Sequence, residues 1–413
     1  MHPNSPLVPP ADPAAAVTGP DSVLVVGASA AGLSTAEALR RRGFTGRLTL
    51  IGEESWAPYD RPPLSQQVLG GTIDADRIML RRPGQLAGLD LRLVLDDPAV
   101  ALDAASRTVT TRSGRRQSAE AVVVATGARA RRLPGQEKLA GVHVLRTLDD
   151  ALDLMSELHR QHRLVVIGDG LLGMEAAATA RTAGAAVTVI GRQDVPMARQ
   201  LGRPLATELG RLHRERGVDL LPGTAVHWLQ GRRGRVSGVH VEGDQLLEAS
   251  LVLVAAGAQP ATGWLTGSGL TLDDGVVCDA TCRAADGIYA VGDVARWYHQ
   301  GLGGHLRLGN RTNATEQAAA VADAILGQPH PYQPVPYFWT DQYEATLTVH
   351  GIPGPTDRME VVKGSLVDRR FVARYTDSHG TTTAVVGWGL PEQTRLHREA
   401  LVAHYSHAAL QAA

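Results

Sequence analysis

Two stretches of this chain, about 140 residues apart, repeat one order of elements: a short apolar strand, a turn of small residues, a helix and a second strand. The first runs from Val23-Leu24-Val25-Val26 through Gly27-Ala28-Ser29-Ala30-Ala31-Gly32 into a helix predicted to reach Arg42, then a strand over Arg47–Ile51. The second runs from Leu164–Ile167 through Gly168-Asp169-Gly170-Leu171-Leu172-Gly173 into a helix reaching about Ala183, then a strand over Ala186–Ile190. One glycine turn of this kind is a weak signal. Two of them, each between a strand and a helix and each followed by another strand, point strongly to a pair of dinucleotide-binding units.

The turn chemistry explains the residue types. Gly27 and Gly168 permit the tight bend, and Gly32 and Gly173 let the helix pack close to its strand. Gly170 lets the backbone approach a pyrophosphate, with free N–H groups and the helix dipole aimed at the anion; Ser29 takes that place in the first copy and is small enough to keep the site. The alternative is that small residues merely allow tight strand–helix packing. The copies differ where ribose is read. Ile51-Gly52-Glu53 ends the second strand of copy one with a carboxylate able to accept hydrogen bonds from ribose hydroxyls, which assigns FAD to that copy. The corresponding triplet in copy two is Ile190-Gly191-Arg192, where a guanidinium suits a 2'-phosphate, so NADPH is expected rather than NADH. An ordinary solvated arginine is the alternative for Arg192.

Further apolar runs complete the pattern. Val122–Val124 followed by Ala125, Thr126 and Gly127, Leu251–Val254 ending in Gly257, and Ile288–Val291 ending in Gly292-Asp293 read as buried strands whose small residues face a cofactor. A helix is expected over Thr312–Leu326. The fold class expected is α/β, with two Rossmann-like dinucleotide-binding domains and a C-terminal α+β interface domain. The expected bounds are residues 21–128 and 258–330 for FAD, 129–257 for NAD(P), and 331–413 for the C-terminal domain.

Composition narrows the classes. The chain has 413 residues and a net charge of -1, which argues against coating nucleic acid or an anionic membrane through its overall field. Only Lys138 and Lys363 are lysines among 41 basic residues, so any functional lysine would stand out. The two cysteines, Cys278 and Cys282, exclude a disulfide scaffold and, without a nearby histidine, make a poor metal site; no metal is expected. Residues 1–20 are expected to form a disordered tail rather than a signal peptide. No apolar run is long enough to span a bilayer, and a soluble cytoplasmic protein is expected.

With these pieces in place the chain resembles the FAD-dependent ferredoxin reductases of the putidaredoxin reductase type, which serve oxygenase systems. The resemblance runs from about Ser22 to the C-terminus. It is carried by Pro58-Tyr59-Asp60-Arg61-Pro62-Pro63-Leu64-Ser65, Ala125-Thr126-Gly127-Ala128-Arg129, Leu145-Arg146-Thr147-Leu148, Ala290-Val291-Gly292-Asp293 and Phe338-Trp339-Thr340-Asp341-Gln342-Tyr343. It implies that FAD is held by Gly27, Gly32, Glu53, Arg61, Val100, Ala125, Arg146 and Asp293, and that nicotinamide meets the flavin near Glu175. The other candidate cofactor-binding residues are Ser29, Ala30, Ala31, Gln66, Thr126, Gly127, Gly168, Gly170, Leu172, Gly173, Arg192, Arg199, Gly257, Gly292, Arg311 and Trp339. Tyr337, Phe338, Trp339 and Tyr343 gather four of 17 aromatic residues into one short segment, suiting either a stacking wall beside a flavin or a domain core.

The resemblance also implies a mechanism and an acidic ferredoxin-type partner. Residues 53–120 contain no cysteine, so a dithiol relay is excluded and electrons must leave directly from the flavin. Two residues depart from the family pattern at the flavin. Where the family has a lysine beside the glutamate, this chain has Gln66; Gln66 and Glu175 are therefore the candidate catalytic pair, with one cation missing. Arg311 stands where the family has an apolar or aromatic neighbour, and either restores positive charge near the flavin or turns to solvent. Together with Arg307 it is expected to contribute to a basic rim for the partner. Two other readings remain open here: a flavoenzyme acting directly on a small organic substrate, and a flavoprotein whose cofactor controls association.

Overall fold

The computed structural model describes residues 19–161, 163–402 and 405. Most of the N-terminal tail therefore lies outside the described residues. Copy one consists of β1 (Ser22–Val26), α1 (Ala30–Arg41) and β2 (Arg47–Ile51). Copy two consists of β3 (Arg163–Ile167), α2 (Leu171–Thr182) and β4 (Ala186–Ile190).

Each copy nucleates its own sheet. The first has six strands in the order Arg283–Ala285, Ile288–Ala290, Ala121–Val124, β1, β2, Arg92–Val94, all parallel except the edge pair Arg283–Ala285/Ile288–Ala290. The second has five parallel strands in the order Val218–Leu221, β4, β3, Val252–Val254, Val142–His143. Parallel strands covered on both faces read as continuous apolar runs, and Val23–Val26 and Leu164–Ile167 are all buried accordingly. In both sheets the first strand of the copy sits between its successor and a strand from far along the chain. The direction of winding reverses there, which opens a crevice at the carboxyl ends of the strands.

The helix α3 (Arg203–Glu215) covers the second sheet, and α4 (Arg311–Ile325) packs against α1 beside the first. The helix α4 starts one residue earlier than predicted because the Asn310 side chain accepts the Asn313 N–H at 2.8 Å, making Arg311 the first helical residue. From β5 (Tyr337–Gln342) onward the chain forms a five-stranded antiparallel sheet, with a short helix over Pro391–His397. Leu347, Val349, Phe371 and Trp388 of this sheet share one apolar core with Leu164, Val166, Met174 and Leu209 of the second copy. That shared core brings β5 against α2, beside the crevice. Among the described residues no helix is long and apolar enough to cross a membrane.

Candidate functional site

The two turns are built alike. Gly27 and Gly168 have φ of 122° and 124°, and a Cβ added to either would lie 2.1 or 2.2 Å from the carbonyl oxygen of Ala125 or Ala255. A Cβ on Gly32 or Gly173 would lie 1.9 or 2.0 Å from the Gly27 or Gly168 carbonyl oxygen, so these two glycines seat their helices on the turn and do not line the cavity. Nothing lies within 4 Å of a Cβ on Gly170, which faces open space, and Ser29 makes no capping bond. Neither α1 nor α2 has an acidic residue in its first turn. Both helix starts therefore present unoccupied N–H groups and positive dipole ends to the crevice, which fits an anion such as a pyrophosphate.

Three connected cavities open there, and Arg61 and Arg146 line all three. The largest, 950 Å³, is walled by Gly168, Asp169, Gly170, Leu171 and Leu172, by Arg192, Gln193 and Arg199, and by Ala255–Ala258, including Gly257. A second, 380 Å³, runs along copy one past Gly27, Ser29, Glu53, Ala125, Thr126 and Arg129. A third, 220 Å³, joins them at the centre, where Ser29, Ala30, Ala31, Gln66, Gly127, Glu175, Asp293, Arg311, Phe338 and Trp339 meet. A two-copy cleft with a shared centre fits FAD along copy one and a nicotinamide nucleotide along copy two. When bound, such a pair would supply hydride acceptance and single-electron release.

The junction is polar and internally matched. Arg61 donates to Glu54 at 2.6 Å, to the Tyr59 hydroxyl at 3.0 Å and to the Arg146 carbonyl at 2.5 Å. Burial opposes the Arg61 charge, but Tyr59 and Glu54 outweigh it and hold Arg61 above the ordinary arginine value. Arg146 pairs with Asp293 at 3.1 Å; burial pulls its guanidinium below the usual value while Asp293 resists. Glu53 lies at the cavity mouth, 3.0 Å from Arg129.

Glu175 projects from α2 into the centre and is 6% exposed. Ser65 Oγ donates to its Oε2, and Thr340 Oγ1 to its Oε1, each at 2.6 Å. Burial pushes its carboxyl up to about 7, while the bonds from Ser65, Thr340 and Gln66 hold it from rising further. Gln66 and Glu175 are thus neighbours at the centre, with a neutral amide beside the carboxylate.

Several expectations need correction. The Val100 side chain is 49% exposed and lines none of the cavities; a bulge between Ala99 and Ala101 leaves Ala99 facing the cavity instead. Gly292 does not line the site either: its N–H donates to Gln317 Oε1 at 2.8 Å, and a Cβ added to it would lie 2.9 Å from the Ala31 methyl. Arg311 neither adds net charge nor turns to solvent, since it pairs with Asp60 at 2.6 Å. Arg307 is likewise held by Asp274 at 3.1 Å, so the rim these arginines were expected to make basic is largely neutralised. The aromatic cluster divides. Phe338 and Trp339 line the centre, Tyr337 stacks on His350 with centroids 4.7 Å apart, and Tyr343 meets His213 edge-on at 5.1 Å.

Sequence reasoning missed Glu54, Ser65, Thr340 and Asp169 as site residues. For Asp169 the signal was present: a charged residue inside a glycine turn. For the others only the fold brings the partners together.

A family model described as pyridine nucleotide-disulphide oxidoreductase matches residues 21–318, and one described as reductase C-terminal matches residues 337–413. The chain belongs to the ferredoxin reductase family of these oxidoreductases. A probable ferredoxin reductase of Castellaniella defragrans is 35% identical over 360 residues, 86% of this chain and 87% of that one. The ferredoxin–NAD(+) reductase subunit of the benzene 1,2-dioxygenase system of Pseudomonas putida is 36% identical over 386 residues, 91% of this chain and 90% of that one. A crystal structure of the covalent putidaredoxin reductase–putidaredoxin complex superposes with a TM-score of 0.87 at 32% identity, covering 92% of each chain. As a member of the family, this ferredoxin reductase relative is an oxidoreductase of the FAD and NAD(P)H class. The disulphide in the family description has no counterpart at its crevice. Cys278 and Cys282 are free and buried in the core around the first sheet, where burial pushes the Cys282 thiol up to about 12 and Cys278 also well above its usual value.

Proposed function

We propose that this protein passes electrons from a nicotinamide nucleotide, through FAD held by copy one, to a ferredoxin-type iron–sulfur partner of an oxygenase system. The observation that carries the reading is the single connected crevice. Two dinucleotide-type turns open onto one centre, lined by Arg61 and Arg146 throughout, with no thiol among its lining residues. Two similar reductases are named for ferredoxin, and a structural relative is captured with putidaredoxin. In this reading residues 21–128 and 258–330 hold FAD, 129–257 hold the nucleotide, and 331–413 supply Phe338, Trp339 and Thr340 to the centre.

The chain's own residues bind and orient. The α1 start takes the flavin pyrophosphate, Asp293 and Arg146 face the ribityl side, and Glu53 reads the adenosine ribose. Glu175, held by Ser65 and Thr340, fixes the charge beside the flavin, where Gln66 contributes an amide rather than a cation. NADPH is the favoured nucleotide: Arg192 and Arg199 are exposed at the cavity wall, and neither has an ion-pair partner among the described residues. Purified protein should show a flavin spectrum that bleaches on anaerobic addition of NADPH. A colourless protein that takes up no FAD would refute the assignment of copy one, and a stable oxidised spectrum under NADPH and NADH would refute the oxidoreductase cycle.

A further inference from the structure

The two copies permit an internal comparison, position by position. Val26 pairs with Ile51 and Ile167 with Ile190, and the first glycine N–H of each turn donates to that isoleucine carbonyl, at 2.7 and 2.8 Å. Ala28 and Gly52 of copy one thus correspond to Asp169 and Gly191 of copy two, and Glu53 corresponds to Arg192. In copy one a Cβ on Gly52 would lie 2.8 Å from the Ala28 methyl, and the carboxylate comes from Glu53 at the strand end. In copy two a Cβ on Gly191 would lie 2.2 Å from Asp169 Oδ2 and 2.5 Å from its Cβ. The Asp169 side chain therefore fills the space above the end of β4. The carboxylate has crossed the crevice mouth, from the strand end to the turn.

Its surroundings leave it short of donors. Asp169 is 8% exposed, lines the 950 Å³ cavity, and has no salt-bridge partner among the described residues. It accepts two long bonds, from the Gln193 N–H at 3.2 Å and Gln193 Nε2 at 3.3 Å. A carboxylate has about four acceptor positions, and burying one with so few donors is costly. Donors arriving at the end of the second strand of such a unit are ribose hydroxyls.

We propose that Asp169 is a specificity-determining residue of the nicotinamide crevice: its carboxylate accepts hydrogen bonds from the adenosine ribose hydroxyls of NADH and repels a 2'-phosphate. Arg192 and Arg199, lining the same cavity, attract that phosphate, so the protein accepts both nucleotides and its preference is the difference between two opposed contacts. The inference rests on the reading of this cavity as the nicotinamide-nucleotide site.

The test is calorimetric titration of the flavin-loaded protein with ADP-ribose and with 2'-phospho-ADP-ribose, fragments that carry the reading groups without redox chemistry. The substitution Asp169→Asn should weaken ADP-ribose by about ten-fold or more, as expected for losing a charge-assisted bond, and leave the 2'-phosphorylated fragment unchanged or tighter. Equal weakening of both, or no change in ADP-ribose, overturns the assignment of Asp169. Should Asp169→Asn fail to fold, the double variant Arg192→Gln/Arg199→Gln decides: with Asp169 active, the phosphorylated fragment binds more weakly than ADP-ribose. Equal binding of the two would mean that Asp169 is silent. If neither fragment binds the unmodified protein, the nucleotide-site reading itself fails, and the proposal falls with it.

Discussion

Thr340 Oγ1 donates a 2.6 Å hydrogen bond to Glu175 Oε1, tying the C-terminal sheet to a carboxylate at the centre of the crevice. The bond has support behind it. Gln342 Nε2 donates to Thr340 Oγ1 at 3.1 Å, and Gln342 Oε1 faces His213 Nε2 at 2.8 Å. The Gln342 oxygen only accepts, so Nε2 of His213 carries the proton, and burial holds that imidazole neutral by lowering it to about 4. The result is a chain of donors all directed toward Glu175.

Loss of the Thr340 hydroxyl should therefore raise the Glu175 carboxyl further. Hydrogen bonds to the ionised form lower a carboxyl's proton affinity, and one such bond is worth about one pH unit or slightly more. The pH profile of flavin reduction by NADPH in Thr340→Val should keep its shape with the Glu175 limb displaced about one unit to higher pH. A limb that stays in place would show that Thr340 only packs.

Gln66→Lys would place a cation beside Glu175. It should lower the carboxyl from about 7 and make the flavin midpoint potential less negative, since a nearby positive charge favours the electron-rich reduced form. Spectroelectrochemical titration measures the second effect and the pH profile the first. If neither moved, Gln66 would have no electrostatic part at the centre.

Burial gives Glu175 a linked stability effect. Its folded value of about 7 lies above the ordinary 4.5, so the folded state binds the proton more tightly. The stability that proton provides is fully present below pH 4.5 and is lost as pH rises through 7. Glu175→Gln should therefore raise the melting temperature at pH 8, with the gain shrinking toward pH 4.5. A gain independent of pH would point to packing instead.

Gly32 and Gly170 should respond oppositely to a side chain. A Cβ on Gly32 would lie 1.9 Å from the Gly27 carbonyl oxygen, whereas nothing lies within 4 Å of one on Gly170, and copy one already carries Ser29 at that place. Gly32→Ala should yield protein without flavin, and Gly170→Ser should keep flavin and nucleotide-driven reduction to within a few-fold. Flavin content after purification and stopped-flow rates check both.

The sheets were legible from the sequence because fully buried parallel strands leave little choice of residue, and the turns because backbone collisions exclude any side chain at Gly27, Gly32, Gly168 and Gly173. Contacts across long sequence separations were not. Arg311 and Asp60 lie 251 positions apart, and Thr340 and Glu175 lie 165 apart; no local pattern announces either pair. Arg311 was read as a free cation, and the fold supplied its counter-ion. Val100 was expected at the cofactor only through the family resemblance, and the bulge between Ala99 and Ala101 turns Ala99 rather than its side chain to the cavity.

In the proposed cycle electrons leave the flavin directly for an iron–sulfur partner. The decisive measurement mixes NADPH-reduced protein anaerobically with an oxidised ferredoxin and follows the iron–sulfur absorbance, for the natural chain and for Cys278→Ser/Cys282→Ser. Ferredoxin reduction is expected in both, at rates within about two-fold, because both thiols are buried away from the crevice. Loss of the transfer in the double serine variant with its flavin still reducible, or no ferredoxin reduction at low salt by either protein, would contradict it.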